Sequence, residues 1–331
     1  MSDATTPAPT SRSPSTHVSL GRRFAGRLET RMLALALVVF AVLSVASPYF
    51  LRSNNLLNLL DQSVVTGITA VGMTFVILTG GIDLSAGSVL GLTSVLMGLA
   101  FPAYGIPGGI AVALVAGGMI GLFSGVLVAY FGLASFVVTL GVMAIGRSLA
   151  YICSGATSIA DIPPGINDLV YTSILGVPSN VAALLVIYLL AGLYLSFTKG
   201  GRTIYAIGSN REAARTAGLN VLIYSVLPYV VSGVLAAAAG VLLSAQVLSI
   251  DPLAGTALEL DAIAAVVIGG ASLFGGRGSI IGTLIGVLIM VMIRNGLNLL
   301  GVNPFWQGSA IGGIIIAAVL VERLVSTRIR G

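Results

Sequence analysis

Charge is what this sequence has least of. Only 8% of its 331 residues are Asp, Glu, Lys or Arg, against about 25% in a soluble domain. That scarcity excludes a water-soluble globular protein. With 56% hydrophobic residues, it also excludes a disordered chain, which needs low hydrophobicity and high charge. Cys153 is the single cysteine, which excludes a disulfide framework and any multi-cysteine zinc or iron–sulfur site. The single histidine, His17, lies in a polar stretch and leaves almost nothing for a His-based metal centre or catalytic triad. The one lysine, Lys199, is followed by Gly200 rather than Ser or Thr, so the phosphate-binding pattern GxxxxGK[ST] is absent. If ATP drives this chain, another chain must bind it.

What is present is apolar sequence, with a mean hydropathy of +1.05 and 43 glycines. A spanning helix needs about 20 apolar residues, because ~1.5 Å per residue must cross ~30 Å of hydrocarbon. Ten segments meet that need at least loosely: 32–51, 56–79, 84–102, 107–130, 134–153, 180–197, 221–247, 259–273, 279–299 and 306–322. The segment at 259–273 is the shortest and starts with two acids, Glu259 and Asp261. The expected fold is therefore all-α, a polytopic membrane protein of about ten transmembrane helices.

Residues 1–31 are a Ser/Thr/Pro/Arg stretch with no apolar period, read as a disordered cytoplasmic tail. A signal peptide fits less well, because the charged lead is long and the apolar run exceeds a signal core. The permease body is expected over 32–325 and a short cytoplasmic tail over 326–331. Basic residues set orientation. With the N-terminus inside and ten spans, the N-terminal arginines, Lys199, Arg202, Arg211, Arg215, Arg277, Arg323, Arg328 and Arg330 all fall inside. These are most of the 16 basic residues. Arg52 falls outside, and Arg147 and Arg294 fall within spans. Topology thus accounts for the net charge of +5, and no nucleic-acid partner is needed.

The cytoplasmic stretch after the sixth span is the richest in polar residues. Ser209 can cap a helix with Glu212 three residues on, a capping box. Gly218 suits the left-handed residue just past a helix end. The helix expected at about 209–217 is too short to stand alone. Ala213, Ala214 and Ala217 would give it a small face, and Arg211, Glu212 and Arg215 polar anchors, with Asn210 beside them. A surface turn and a partner-docking helix both fit this pattern.

Three further stretches carry a resemblance. They are Gly72-Met-Thr-Phe-Val-Ile-Leu-Thr-Gly-Gly-Ile-Asp83-Leu-Ser-Ala-Gly-Ser88, Glu259-Leu-Asp261-Ala-Ile-Ala-Ala-Val-Val-Ile-Gly-Gly-Ala-Ser-Leu-Phe-Gly-Gly-Arg277-Gly-Ser279 and Asn295-Gly-Leu-Asn298-Leu-Leu-Gly-Val-Asn-Pro304-Phe-Trp306-Gln307. Together with the 208–220 loop they resemble the ribose/xylose-type permeases of ATP-binding-cassette sugar importers. The resemblance covers roughly residues 32–325. It implies a homodimer or pseudo-dimer in the bacterial cytoplasmic (inner) membrane. It further implies an extracytoplasmic sugar-binding protein and a cytoplasmic ATPase that binds ATP and magnesium, with no cofactor in this chain. The 208–220 loop would be the coupling segment to that ATPase. The long N-terminal tail is a departure on which the resemblance is silent.

Polar residues inside apolar spans each need a reason, because an ionisable group at mid-membrane costs about 2.5–3.5 kcal/mol or more. Asn54, Asn55, Asn58, Asp61 and Gln62 share one face of the second span, continued by Thr66 and Thr69. Amides and a carboxylate suit a neutral polyol, so this stripe can line the outer mouth of a path. Capping and interhelical hydrogen bonding are the alternative. Asn295 and Asn298 form a second amide pair at the same level, near Gln307. Asp83 reads as the N-cap of the third span or as part of a cytoplasmic gate. Gly269-Gly270…Gly278-Ser279…Gly282 echoes Gly80-Gly81…Gly87-Ser88…Gly91, as a duplication remnant or as convergent packing. Arg147 could pair with Asp61. The expected function is a gated path driven by a separate ATPase, for a monosaccharide or small polyol. The alternatives are an ion-coupled transporter, or a cassette permease for an amino acid or nucleoside. An integral-membrane enzyme lacks clustered His, Cys or paired carboxylates.

Overall fold

The computed structural model describes residues 28–174, 176–303, 306–313, 316 and 320. Of the tail expected over 1–31, residues 1–27 lie outside the described residues, as does the tail at 326–331; residues 28–31 are not disordered but form the first turn of a helix, Leu28–Ala46, that runs on into the first apolar segment. The long helices are α1 (Leu28–Ala46), α2 (Ser53–Leu78), α3 (Ala86–Ala129) and α4 (Ser135–Ser154). A 3-10 turn (Pro164–Asn167), the four-residue α5 (Asp168–Tyr171) and a hairpin follow. The hairpin pairs β1 (Ser173–Ile174) with β2 (Val177–Pro178), Ser173 opposite Pro178. Then come α6 (Ser179–Phe197), α7 (Lys199–Ser209), α8 (Arg211–Thr216), α9 (Val221–Val247), α10 (Leu258–Ile268) and α11 (Ile280–Leu299). Residues 306–313 are helical.

Seven helices among the described residues, α1, α2, α3, α4, α6, α9 and α11, are long and apolar enough to cross a membrane. Helix α3 is two arms. Gly105 breaks it with φ 62° and ψ −171°, between Pro102 and Pro107. Each Pro removes a helical N–H, and only Gly takes that backbone without strain. The two segments read at 84–102 and 107–130 are these arms. The segment read at 259–273 is not a full span: α10 has 11 residues and rises only ~16 Å. Its length is limited by Gly270, whose left-handed backbone (φ 92°) closes the helix end.

The core is built on α2, buried without interruption from Gly67 to Leu78. A helix buried all round carries no charge or amide there, so Asn54, Asn55, Asn58, Asp61 and Gln62 all sit toward its start, and the threonines of the buried stretch, Thr69 and Thr74, satisfy their hydroxyls on carbonyls one turn back. Helix α9 crosses the second arm of α3 at a seam of small residues. A Cβ at Gly117, Gly121 or Gly125 would collide with the α9 backbone at Gly233, Tyr229 or Val226, so glycine there allows the close contact. Helices α10 and α11 pack on α2 from another side, where the Thr74 and Thr283 hydroxyls share a 2.8 Å hydrogen bond.

The two Gly-Gly turns have a common geometry in a register one residue from the sequence alignment. Gly80 N–H bonds the Ile77 carbonyl and Gly81 N–H that of Val76. Gly270 N–H bonds Val267 and Ala271 N–H bonds Val266 in the same way. Gly80 therefore matches Gly270, not Gly269. Ser85 and Ser279 are the N-caps of the following helices, so Ser279 matches Ser85, not Ser88. The left-handed residue is what the geometry aligns, and a motif of repeated glycines leaves that ambiguous.

Candidate functional site

One cavity of about 360 Å³ opens between α2, α9, α10 and α11. Its size falls at the lower end of the ~300–1,000 Å³ typical of small-molecule sites. Helix α2 brings Asp61, Gln62 and Thr66 to its wall, at i, i+1 and i+5 on one face. Helix α9 adds Gln246, the 248–257 loop adds Thr256, α10 adds Asp261 and α11 adds Arg294. Val65, Leu243, Met290 and Val291 supply apolar wall between these groups.

Asp261 is buried and Arg294 partly open, with 40% of its side chain exposed. Arg294 Nη2 donates to Asp261 Oδ1 at 2.9 Å and lies 2.7 Å from Oδ2. A charge pair inside an apolar bundle must be mutual, since either charge alone would be uncompensated. Asp61 takes a different partner. Its Oδ1 accepts from Asn180 Nδ2 at 2.8 Å, and Asn180 is itself buried and accepts from Val181 N–H. Asp61 does not pair with Arg147. The Arg147 Nη1 instead donates to the carbonyls of Pro252 and Ala254 at 3.0 and 2.9 Å. It thereby holds the loop that contributes Thr256 to the cavity. That loop contains left-handed Leu248, Gly255 and Ala257 and turns on its own bonds, Ala254 N–H to the Asp251 carbonyl and Thr256 N–H to that of Leu253, so Arg147 adds an anchor from α4 to a loop already turned locally.

The cavity thus gathers Asp61, Gln62 and Thr66 from the sequence stripe but not the rest of it. Asn58 is exposed and lies off the cavity. Asn55 and Asn295 bond each other reciprocally, at 3.1 and 2.8 Å, joining the start of α2 to α11. Asn298 accepts from Gln307 Nε2 at 2.6 Å, which ties the end of α11 to the helical residues 306–313. Asp83 is buried away from the cavity. It is not the N-cap of α3, which is Ser85. Its Oδ1 accepts from Ser85 N–H and Oγ at 2.9 and 2.6 Å, and its Oδ2 accepts from Ser232 Oγ at 2.7 Å. The short Asp83–Ser85 spacing makes a turn before the helix rather than a cap on it.

Asp261 and Arg294 were legible only as unexplained charges in apolar sequence. An acid and a base that each need a partner, on consecutive helices, were the signal. Gln246 and Thr256 carried none, because one lies at a helix end and the other in a loop of no fixed period.

On the opposite side of the bundle, residues 199–209 form a helix, α7, where a loop was expected. Thr198 caps it, its Oγ1 accepting from Gly201 N–H at 3.0 Å. The next helix, α8, is Arg211–Thr216, shorter than the expected 209–217. Its N-cap is Asn210, whose Oδ1 accepts from Ala213 N–H at 2.9 Å. The Ser209–Glu212 capping box does not form, because Ser209 still belongs to α7 and its Oγ donates back to the Tyr205 carbonyl. Gly218 is left-handed as expected (φ 77°). Gly218 and Leu219 N–H close the end on Arg215 and Ala214. Ala214 is buried with Ile207 and Val221. Ala213, Ala217, Arg211, Glu212 and Arg215 face outward.

Behind α8, helix α7 rests on the ends of two elements. Gly208 abuts the Leu78 carbonyl and Gly276 N–H so closely that a Cβ would overlap both. The Tyr205 hydroxyl donates to the Gly278 carbonyl at 2.9 Å, and burial holds its pKa above the usual phenol value.

Comparison with known proteins agrees across nearly the whole chain. The family model described as branched-chain amino acid transport system / permease component matches residues 55–320. The ribose import permease protein RbsC of Escherichia coli (strain K12) is 42% identical over 318 residues, covering 91% of this chain and 97% of that protein. The D-allose transport system permease protein AlsC of the same strain is 37% identical over 298 residues, 88% of this chain and 90% of its own. The L-arabinose ABC transporter permease protein AraH of Azospirillum brasilense is 36% identical over 328 residues, 98% and 97%. No solved structure matches the chain.

Proposed function

The chain belongs to the branched-chain amino acid transport system / permease component family, and from that premise we propose that it forms the translocation path of an ATP-driven sugar importer. The observation that carries this reading is the cavity bearing Asp61, Gln62, Thr66, Gln246 and Thr256 in a chain 42% identical to a ribose import permease. Hydroxyl-matching donors and acceptors in an apolar bundle suit a neutral, polyhydroxylated solute.

In this proposal the protein is a multi-pass subunit of the bacterial inner membrane, with both termini cytoplasmic. The two arms of α3, the other long helices, the half-length α10 and the segment from 306 make up about ten membrane-embedded helices. A cytoplasmic cassette ATPase holds ATP and magnesium and docks on the outward face of α8. An extracytoplasmic binding protein delivers the sugar, and a second copy of this chain completes the path. Asn58, Asn295 and Asn298 stand at the end of the bundle where the sugar enters, and Asp83 at the opposite end. Catalysis of ATP hydrolysis belongs to the partner.

Uptake of radiolabelled D-ribose, D-allose and L-arabinose into proteoliposomes holding the full importer tests this. Uptake that needs ATP and the binding protein is expected. Uptake driven by a proton gradient without ATP would replace the proposal with an ion-coupled transporter. Asp61→Ala is expected to depress uptake at normal subunit abundance, and unchanged uptake would remove Asp61 from the path.

A further inference from the structure

The Asp261–Arg294 pair has features that a purely structural ion pair does not need. Arg294 reaches both carboxylate oxygens through Nη2 alone, whereas a structural Arg–carboxylate pair commonly uses two guanidinium nitrogens side by side. Among the described residues, Nε and Nη1 have no other partner, and a guanidinium carries five donors. The arginine side chain is 40% exposed although its partner is buried, and both line the cavity. Asp61 is similarly half used, with Oδ1 on Asn180 and no partner for Oδ2 among the described residues.

We infer that the Asp261–Arg294 pair, with Thr256 and Asp61, is a binding subsite for a vicinal diol of a neutral sugar within the path. This rests on the pathway reading above and deepens it. Adjacent hydroxyls present donors and acceptors a few ångströms apart. Asp261 and Asp61 can only accept, Arg294 can only donate, and a diol can satisfy both at once. The pair keeps its charges matched when the site is empty, so the buried carboxylate is never left alone. Two carboxylates against one guanidinium leave the cavity with a surplus negative charge. A solute bearing a carboxylate or phosphate meets repulsion there, and a neutral sugar does not. The site therefore selects on charge as well as on hydroxyl pattern, after the binding protein has released its cargo.

The test uses the full-length permease in lipid nanodiscs, without partners, and saturation-transfer NMR. D-ribose is the probe, 1,4-dioxane the ether control without hydroxyls, and D-gluconate the anionic polyol. Transfer to D-ribose is expected, with little to the other two. The double variant Asp261→Asn/Arg294→Gln removes both charges and so avoids a lone buried ion. Thr256→Val removes an exposed rim hydroxyl that also donates to the Leu253 carbonyl at 2.6 Å. Each is expected to weaken D-ribose binding roughly tenfold, the loss of one charge-assisted hydrogen bond or its equivalent, with the melting temperature held. Absent transfer to D-ribose, equal transfer to gluconate, or unchanged binding in both variants would overturn the inference. ATP-driven uptake by the assembled importer is a separate readout. Transfer without uptake would keep the subsite and sink the importer. Uptake unchanged in variants that bind normally would keep the importer and sink the subsite.

Discussion

Gly276 donates its backbone N–H to the carbonyl of Leu78 at 2.9 Å, fastening the glycine-rich turn after α10 to the end of α2. The two elements joined there carry Asp261 and Asp61 at their far ends, on the cavity wall. Helix α7 sits against this junction through Gly208 and Tyr205. In the proposed importer, a displacement of α8 and α7 would reach both carboxylate-bearing helices through the close backbone contact at Gly208 and the Tyr205 hydrogen bond.

Gly208→Val tests that junction. The added side chain has no space beside the Leu78 carbonyl, and overpacking of this kind costs about 1–3 kcal/mol. We expect a lower melting temperature and a rise in ATP hydrolysed per sugar imported. A variant with wild-type coupling would show that α7 does not carry the motion.

If the ATPase docks on α8 as proposed, the outward and inward faces of that helix should separate docking from folding. Ala213→Asp places a charge on the exposed face and should leave the melting temperature unchanged while uncoupling the ATPase from uptake. Ala214→Asp buries that charge against Ile207 and Val221 and should lower subunit abundance. Equal behaviour of the two would contradict the face assignment.

Capping can be read in the same region by hydrogen exchange. Asn210→Ala removes the bond to Ala213 N–H and is expected to cost about 1 kcal/mol of local stability. Faster exchange over 211–217 would report it. Ser209→Ala should leave those amides unchanged, whereas a capping box would have made both substitutions matter.

Arg147→Met tests the clamp on the cavity loop. Losing two charge-assisted bonds to Pro252 and Ala254 at about 1.5–3 kcal/mol each should loosen the 248–257 loop. We expect faster proteolysis there and weaker uptake, with the α-helical content of the bundle unchanged. Loop protection equal to wild type would remove the clamp.

The reciprocal amides of Asn55 and Asn295 should be non-additive. Either residue changed to Ala leaves the other's amide half satisfied, at about 1–3 kcal/mol. The double variant is expected to cost less than the sum of the two, read from thermal unfolding. Simple additivity would mean that the amides do not act as a unit.

Much of this was legible from the residues. The apolar runs at 107–130, 134–153, 180–197 and 221–247 match helices within a few residues, because one strong constraint governs them: backbone polar groups in hydrocarbon must be satisfied internally. Gly218 was readable because a left-handed helix end favours glycine. Ser209 was misassigned because a cap depends on where the previous helix stops. That boundary depends on α7, whose Gly200, Gly201 and Gly208 read as a loop; Gly201 and Gly208 are there because the helix lies close against the Leu195 and Leu78 carbonyls.

The cavity marks the same limit. The one-faced stripe on α2 placed Asp61, Gln62 and Thr66 together, since spacing along a single helix is a local property. It could not say that Asn55 turns to Asn295, that Asp61 takes Asn180, or that Arg147 binds loop carbonyls.

The sequence by itself determined the class of molecule, because scarcity of charge and length of apolar run set the solvent in which the chain is stable. Tertiary structure alone decided which scarce charges meet. Asp261 and Arg294 are 33 positions apart and Asp61 and Asn180 are 119 apart, and such pairings depend on how helices cross and where a glycine turns the chain. A buried ion tolerates only a nearby partner, and nearness across helices is not encoded in the periodicity of any one of them.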